Sequence, residues 1–204
     1  MLLERIVLAS ASPRRLELLT SLGLRVDVRP SGYEEPDDPA LSPRALAQRH
    51  ARHKAQHVLE TLQSTKAIVA ADTVVDVDGV ALNKPVDAAD AERMLRSLSG
   101  REHIVHTAYA ILVPVAGQQN PLQHHDVSST RVRFYPLGDD EIAEYIATGE
   151  PMDKAGAYGI QGRAASLVES IDGDFYTVMG FPLARFVRAL RNYGFTLPIQ
   201  KKTP

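Results

Sequence analysis

IVAADTVVDVDGVALNK, running from Ile68 to Lys84, is the stretch around which the fold of this chain can be read. Ile68 to Ala71 reads as a buried strand that stops at Asp72, and open α/β sheets place their chemistry at the carboxyl ends of core strands. Asp72 is therefore the first candidate for a metal ligand or general base, with the Thr73 hydroxyl beside it. Asp78-Gly79 signals a tight hairpin that returns Lys84 toward the same end of the sheet. A carboxylate and an ammonium brought together in this way suit a divalent metal and a polyphosphate. An isolated Asp after a strand is also a common turn former or helix cap, so the flanking chain has to decide.

Upstream, Arg5 to Ala9 reads as a first strand. Ser12-Pro13 then gives an N-cap and a first-turn proline for a helix from Arg14 to Leu22, with Leu16, Leu19 and Leu22 inward and Gly23 as terminator. In SASPRR the helix amino terminus, the Ser10 and Ser12 hydroxyls and the Arg14 and Arg15 guanidinium groups point at one space, an anion pocket. The same hexapeptide also reads as a capped surface helix with two solvated arginines. Val26 to Arg29 is a second strand, followed by the acidic loop SGYEEPDDP with Glu34 and Glu35. Ser42-Pro43 opens a long helix to about Leu62. Lys54 lies at the margin of its apolar face, and His50 and His53 read as a wet face.

Downstream, Asp87 and Asp90 resemble a capping box that starts a helix to Leu98. His103 to Val115 reads as a central strand, Ala116 to His125 as an exposed connection, and Val127 to Tyr135 as the antiparallel partner. Gly138 to Ala147 is a further helix. Glu150 to Gly162, EPMDKAGAYGIQG, holds four glycines without periodicity and reads as an ordered loop of tight turns carrying Asp153, Lys154, Tyr158 and Gln161. Ala164 to Ile171 reads as a strand, Phe175 to Val178 as its return, and Leu183 to Tyr193 as the last helix. The tail KKTP reads as frayed. Alternating strands and helices with three hairpins give an α/β fold on a mixed sheet.

Composition narrows the function. The 204 residues suffice for one full core, and 44% hydrophobic with 24% charged residues is ordinary for a globular protein. Lys plus Arg number 23 against 25 Asp plus Glu, a formal charge of -2, so no overall basic field is available to hold nucleic acid. Cysteine is absent, which excludes disulfides, thiolate nucleophiles and cysteine-based metal sites. The seven histidines never form HExxH. No apolar run approaches the roughly 20 residues that cross a bilayer, and the start lacks signal-peptide features, so no membrane association and a cytoplasmic location are expected.

The ordered set LASASPRRLELL, HARHKA, AADTVV, LNKP, LSG, DKAGAYGIQG and IDGDFYTVMGFPL resembles the Maf family of septum-formation-inhibitor-like nucleoside triphosphate pyrophosphatases over nearly the whole chain. The resemblance implies one Maf-like domain over residues 1–204 with two closely joined lobes. Its architecture would be elongated, a mixed twisted sheet flanked by helices with a central cleft, similar to the inosine triphosphate pyrophosphatases. It implies cleavage between the α and β phosphates with Mg²⁺ or Mn²⁺, and DKAGAYGIQG looks like the branch acting on dTTP and UTP. The family's base matches Asp72, and its specificity positions match Arg14, Thr73 and Gln161. Within that reading Ser10, Arg14, Arg15, Lys54, Lys84 and Lys154 would hold the phosphates, and Asp72 with Glu35 the metal. The family often carries Asp-Glu where this chain has Glu34-Glu35, which leaves open which of the two touches metal. Family members are often dimers, so a homodimer is the implied assembly. The rival expectation is a nucleotide-binding regulator of septum formation that turns nothing over.

Overall fold

The computed structural model describes residues 1–62 and 64–198. Strand β1 (Arg5–Leu8) is followed by helix α1 (Pro13–Ser21), strand β2 (Arg25–Val28) and the long helix α2 (Pro43–Leu62). Strands β3 (Ala67–Val77) and β4 (Val80–Leu82), helix α3 (Ala88–Leu98), strands β5 (Glu102–Val113) and β6 (Leu122–Phe134) and helix α4 (Asp139–Ala147) come next. Three 3₁₀ turns (Glu150–Asp153, Ala155–Ala157, Gly162–Ser166) lead to strand β7 (Val168–Asp172), the short helix α5 (Phe175–Met179) and helix α6 (Leu183–Asn192). The expected tail KKTP lies outside the described residues.

Seven strands form one mixed sheet in the order β2-β1-β3-β5-β6-β7, with β4 also on β3. β1 is parallel to β2 and β3, and every other pair is antiparallel. Helix α2 covers one face with small residues: Ala47, Ala51 and Ala55 pack against Val74, Ala108, Ala110 and Val127. Alanines at every fourth position let the helix axis approach the strands closely. The other face carries the larger core, in which Leu19 of α1, Leu95 of α3, Ile142 of α4 and Phe186 of α6 meet Val75, Tyr109 and Val132 of the sheet.

Local signals fixed most of these elements. The Ser12 hydroxyl accepts from the Arg15 amide at 3.5 Å, and Pro13 starts α1 as expected. The Asp87 carboxylate caps α3 through the Asp90 amide at 2.8 Å. Asp78 and Gly79 both have positive φ, 53° and 84°, the turn that suits the right-handed twist of a two-residue hairpin.

Several expectations are corrected. The strand does not stop at Asp72; β3 continues to Val77, because Val74, Val75 and Val77 favour extended backbone and β5 pairs with it from Ile68 to Asp76. The connection taken as Ala116 to His125 is shorter, since Leu122 to His125 belong to β6 and face Val113 to Ala110 across the sheet. The strand expected from Ala164 begins only at Val168, after a turn opened by Gly162 at φ 68°. Phe175 to Val178 is helical rather than a returning strand: the Asp174 carboxylate accepts from the Tyr176 and Thr177 amides and the Thr177 hydroxyl, a cap that outweighs the β preference of Phe-Tyr-Thr-Val. Leu16 and Leu22 are only partly buried, and Leu18 takes the buried place beside Leu19. His50 is buried, as is Lys54, which was expected at the margin of the helix.

Candidate active site

A break in sheet pairing makes the site. On one edge of β3, β1 pairs only as far as Val69 and β4 begins only at Val75, so Ala70 to Val74 has a strand neighbour on the β5 side alone. Asp72 and Thr73 stand in that gap. Successive residues of a strand point to opposite faces, yet both reach the same space because the missing strand leaves the edge open. A cavity of about 850 Å³ fills the gap, ample for a nucleotide-sized ligand.

Ten residues singled out in the sequence line this cavity: Ser10, Arg14, Arg15, Glu35, Lys54, Asp72, Thr73, Lys84, Lys154 and Gln161. The loop after β1 brings Ser10, the first turn of α1 the two arginines, α2 Lys54, the segment after β4 Lys84, and the glycine-rich loop Lys154 and Gln161. Glu34 is not among the lining residues, whereas its neighbour Glu35 is.

Asp72 is buried, and its Oδ1 accepts from the Lys54 ammonium at 2.6 Å. Glu35 Oε1 lies 2.8 Å from the same nitrogen. Burial raises the Asp72 pKa above the ordinary carboxylate value, against the pull of Lys54 and Arg15. For Glu35 burial acts in the same direction, but the Lys54 charge and hydrogen bond outweigh it, and its pKa is lowered. The pair is thereby split: Glu35 stays ionised while Asp72 is the more basic carboxylate. His50 is buried one turn before Lys54 and lowered in pKa by that burial, which keeps the ring neutral at pH 7, with its Nδ1 3.4 Å from the Tyr33 hydroxyl.

Arg15 is held on three sides. Its Nε donates to the Gly180 carbonyl at 2.9 Å, Nη1 to Ser10 Oγ at 3.1 Å and Nη2 to Thr73 Oγ1 at 3.0 Å. Two of its five N–H groups are left for a ligand. Arg14 is freer, 3.9 Å from Asp153. Lys154 donates to the Glu150 carbonyl and to Asp153 Oδ1, so an incoming anion has to compete with Asp153 for it. Lys84 is exposed and has no ion-pair partner among the described residues. Gln161, also exposed, sits at the mouth just before the last 3₁₀ turn.

The donor set has a definite bearing on metal. Among the described residues no group of three or more His, Asp or Glu side chains converges as a metal cage. Two carboxylates, Asp72 and Glu35, converge on one cation at hydrogen-bond distance. Mg²⁺ and Mn²⁺ are commonly taken by one or two carboxylates with substrate phosphates and water completing the shell, so these residues fit such an ion when a polyphosphate supplies the remaining oxygens.

Sequence reading missed Thr107 and Gly180, the groups behind Thr73 and Arg15. Thr107 lies in no motif and Gly180 only within the stretch IDGDFYTVMGFPL, where nothing marks it for the site; both come to it through pairing and packing.

Comparison with known proteins places the chain. The family described as "Maf-like protein" matches residues 5–193. A relative from Symbiobacterium thermophilum named dTTP/UTP pyrophosphatase is 47% identical over 96% of this chain and 97% of its own. One of the same name from Geobacter sulfurreducens is 50% identical over 93% and 97%. The solved structure of the Staphylococcus aureus Ham1 protein has a TM-score of 0.51 at 13% identity, covering 94% of this chain and 100% of that one, a likeness of fold alone. The motifs quoted from the sequence thus fall inside a match that runs almost end to end, and the chain belongs to the Maf-like proteins.

Proposed function

We propose that this chain is a nucleoside triphosphate pyrophosphatase that hydrolyses dTTP and UTP, and modified pyrimidine nucleotides with the same hydrogen-bonding edge, to the nucleoside monophosphate and pyrophosphate. The observation that carries the reading is the meeting, in one cavity, of a buried basic carboxylate, Asp72, with the cations of Arg14, Arg15, Lys54, Lys84 and Lys154. The names of the curated relatives, pyrophosphatases at 44–50% identity, support an enzyme rather than a regulator without turnover.

In this reading Asp72, the more deeply buried of the two carboxylates, takes a proton from a water aimed at the α phosphorus. The water oxygen bonds to phosphorus as the bond to the bridging oxygen of the β phosphate breaks. Charge developing on the departing pyrophosphate falls to the cations of Arg14, Lys84 and Lys154. Asp72 and Glu35 would hold Mg²⁺ or Mn²⁺, which when bound neutralises phosphate charge. Gln161 would read the base: one amide matches the carbonyl and N3–H of uracil or thymine, while cytosine and adenine reverse that pattern with a donor amino group beside an acceptor ring nitrogen.

The test is a nucleotide panel with Mg²⁺ or Mn²⁺, scored for pyrophosphate and orthophosphate separately. Pyrophosphate from dTTP and UTP is expected. Orthophosphate would place cleavage at the γ position, and no product from any nucleotide would favour the regulator.

A further inference from the structure

Behind Thr73 lies a chain of hydroxyls whose proton order can be worked out. Thr107, fully buried on β5, is the register partner of Thr73 on β3. Its Oγ1 lies 2.7 Å from the Thr177 carbonyl and 2.9 Å from Thr73 Oγ1. A carbonyl only accepts, so the single Thr107 hydrogen goes to Thr177. The hydrogen between the two threonines must then come from Thr73. Thr73 Oγ1 in turn accepts from Arg15 Nη2 at 3.0 Å, and an arginine only donates. A hydroxyl oxygen has one hydrogen and two lone pairs, which leaves Thr73 a single free lone pair. Gly180, at φ 108°, lies beside this oxygen: a Cβ there would stand 3.5 Å from Thr73 Oγ1.

We propose that Thr107 is a positioning residue that fixes Thr73 as an acceptor and never a donor toward the cavity, so that the substrate group opposite Thr73 must be a hydrogen-bond donor. Two such donors are common to uridine and thymidine nucleotides, the imide N3–H and the sugar 3′-hydroxyl. Cytosine N3 carries no hydrogen and is rejected if the base is what Thr73 meets. The inference rests on the pyrimidine nucleotide reading above, and it adds a residue that touches no substrate yet sets selectivity.

The experiment compares UTP with two probes that put an acceptor where UTP has a donor, CTP at N3 and 3′-O-methyl-UTP at the sugar. Wild type is expected to favour UTP at least tenfold in kcat/KM over one of the two, and the probe whose disadvantage shrinks in Thr107→Val identifies the source of the donor, since Gln161 discriminates against CTP whatever stands at position 107. Thr107→Val frees the Thr73 hydrogen and is expected to shrink that preference at least fivefold, while Thr107→Ser, which keeps the hydroxyl, stays within twofold of wild type. A merely structural Thr107 would lower all three substrates together and leave the ratios alone; that result overturns the proposal. So does a wild type that treats all three within threefold, an outcome that needs no variant to fold. Dissociation constants for the non-hydrolysable α,β-methylene forms of the same nucleotides are measured alongside. If wild type turns nothing over, the pyrophosphatase reading fails, and the ratio of these constants still decides the role of Thr107.

Discussion

At the scale of single residues, the site turns on how one ammonium divides two carboxylates. Lys54 lies 2.6 Å from Asp72 and 2.8 Å from Glu35, and burial decides which of them holds its proton longer. In protein free of metal and nucleotide, Asp72 is expected to titrate above 3.8 and Glu35 below 4.5, checked by carboxyl carbon NMR shifts against pH. The signs for stability follow. A carboxyl with a raised folded pKa binds its proton more tightly in the fold, so its contribution is fully present below the unfolded value and is lost as pH rises through the folded one. Glu35 acts oppositely: its contribution is present above the unfolded value and fades as pH falls through its lowered pKa. Asp72→Asn removes the base while keeping the shape of the side chain. A loss of about 10²-fold or more in pyrophosphate release from dTTP is expected, with an unchanged circular dichroism spectrum; unaltered turnover would take Asp72 out of the mechanism.

At the scale of elements, the glycine-rich loop is a docked piece of wall rather than a slack connection. Gly156 has φ 67°, and a Cβ there would meet Val75 Cγ2 at 2.9 Å. Its amide donates to the Asn83 carbonyl at 3.0 Å, tying the loop to the segment that carries Lys84. Gly156→Ala therefore sets a strained backbone against a core strand. A stability loss of about 1–3 kcal/mol is expected in urea unfolding, together with a rise in KM for dTTP as Lys154 and Gln161 move. A wild-type KM in a destabilised variant would separate the loop from binding.

At the scale of the whole molecule, a formal charge of -2 hides a cavity that gathers five cationic side chains. Arg14, Arg15, Lys54, Lys84 and Lys154 come from segments spread between the first loop and the last quarter of the chain, and only the sheet brings them together. The metal reading is also decided at this scale, since the two carboxylates come from the acidic loop after β2 and from β3. In the proposed metal site, two carboxylates with no third partner among the described residues would leave the ion held by substrate as much as by protein. Chelation is expected to abolish pyrophosphate release, Mg²⁺ or Mn²⁺ to restore it, and Tm to stay unchanged throughout; a fall in Tm on chelation would instead assign the ion a structural part.

The sequence by itself determined helices α1 to α4 and α6, the Ser12 and Asp87 caps, the Asp78-Gly79 turn and the identities of the charged groups, because caps, left-handed turns and apolar periodicity are chemistry between residues a few positions apart. It also carried the family, through motifs spread along the chain. Tertiary structure decided the rest. Asp72 lies within a strand rather than at its tip because β5 pairs past it, and it is reachable because β1 ends early and β4 starts late on the opposite edge. Lys54 is buried because two carboxylates from other elements meet its ammonium. Thr107 acquires its place behind Thr73 only by cross-strand register. Phe175 to Met179 became a helix because a local cap met no partner strand, whereas Leu122 to His125 became a strand because one was waiting. Pairing and burial between segments distant in sequence leave no mark in either segment alone.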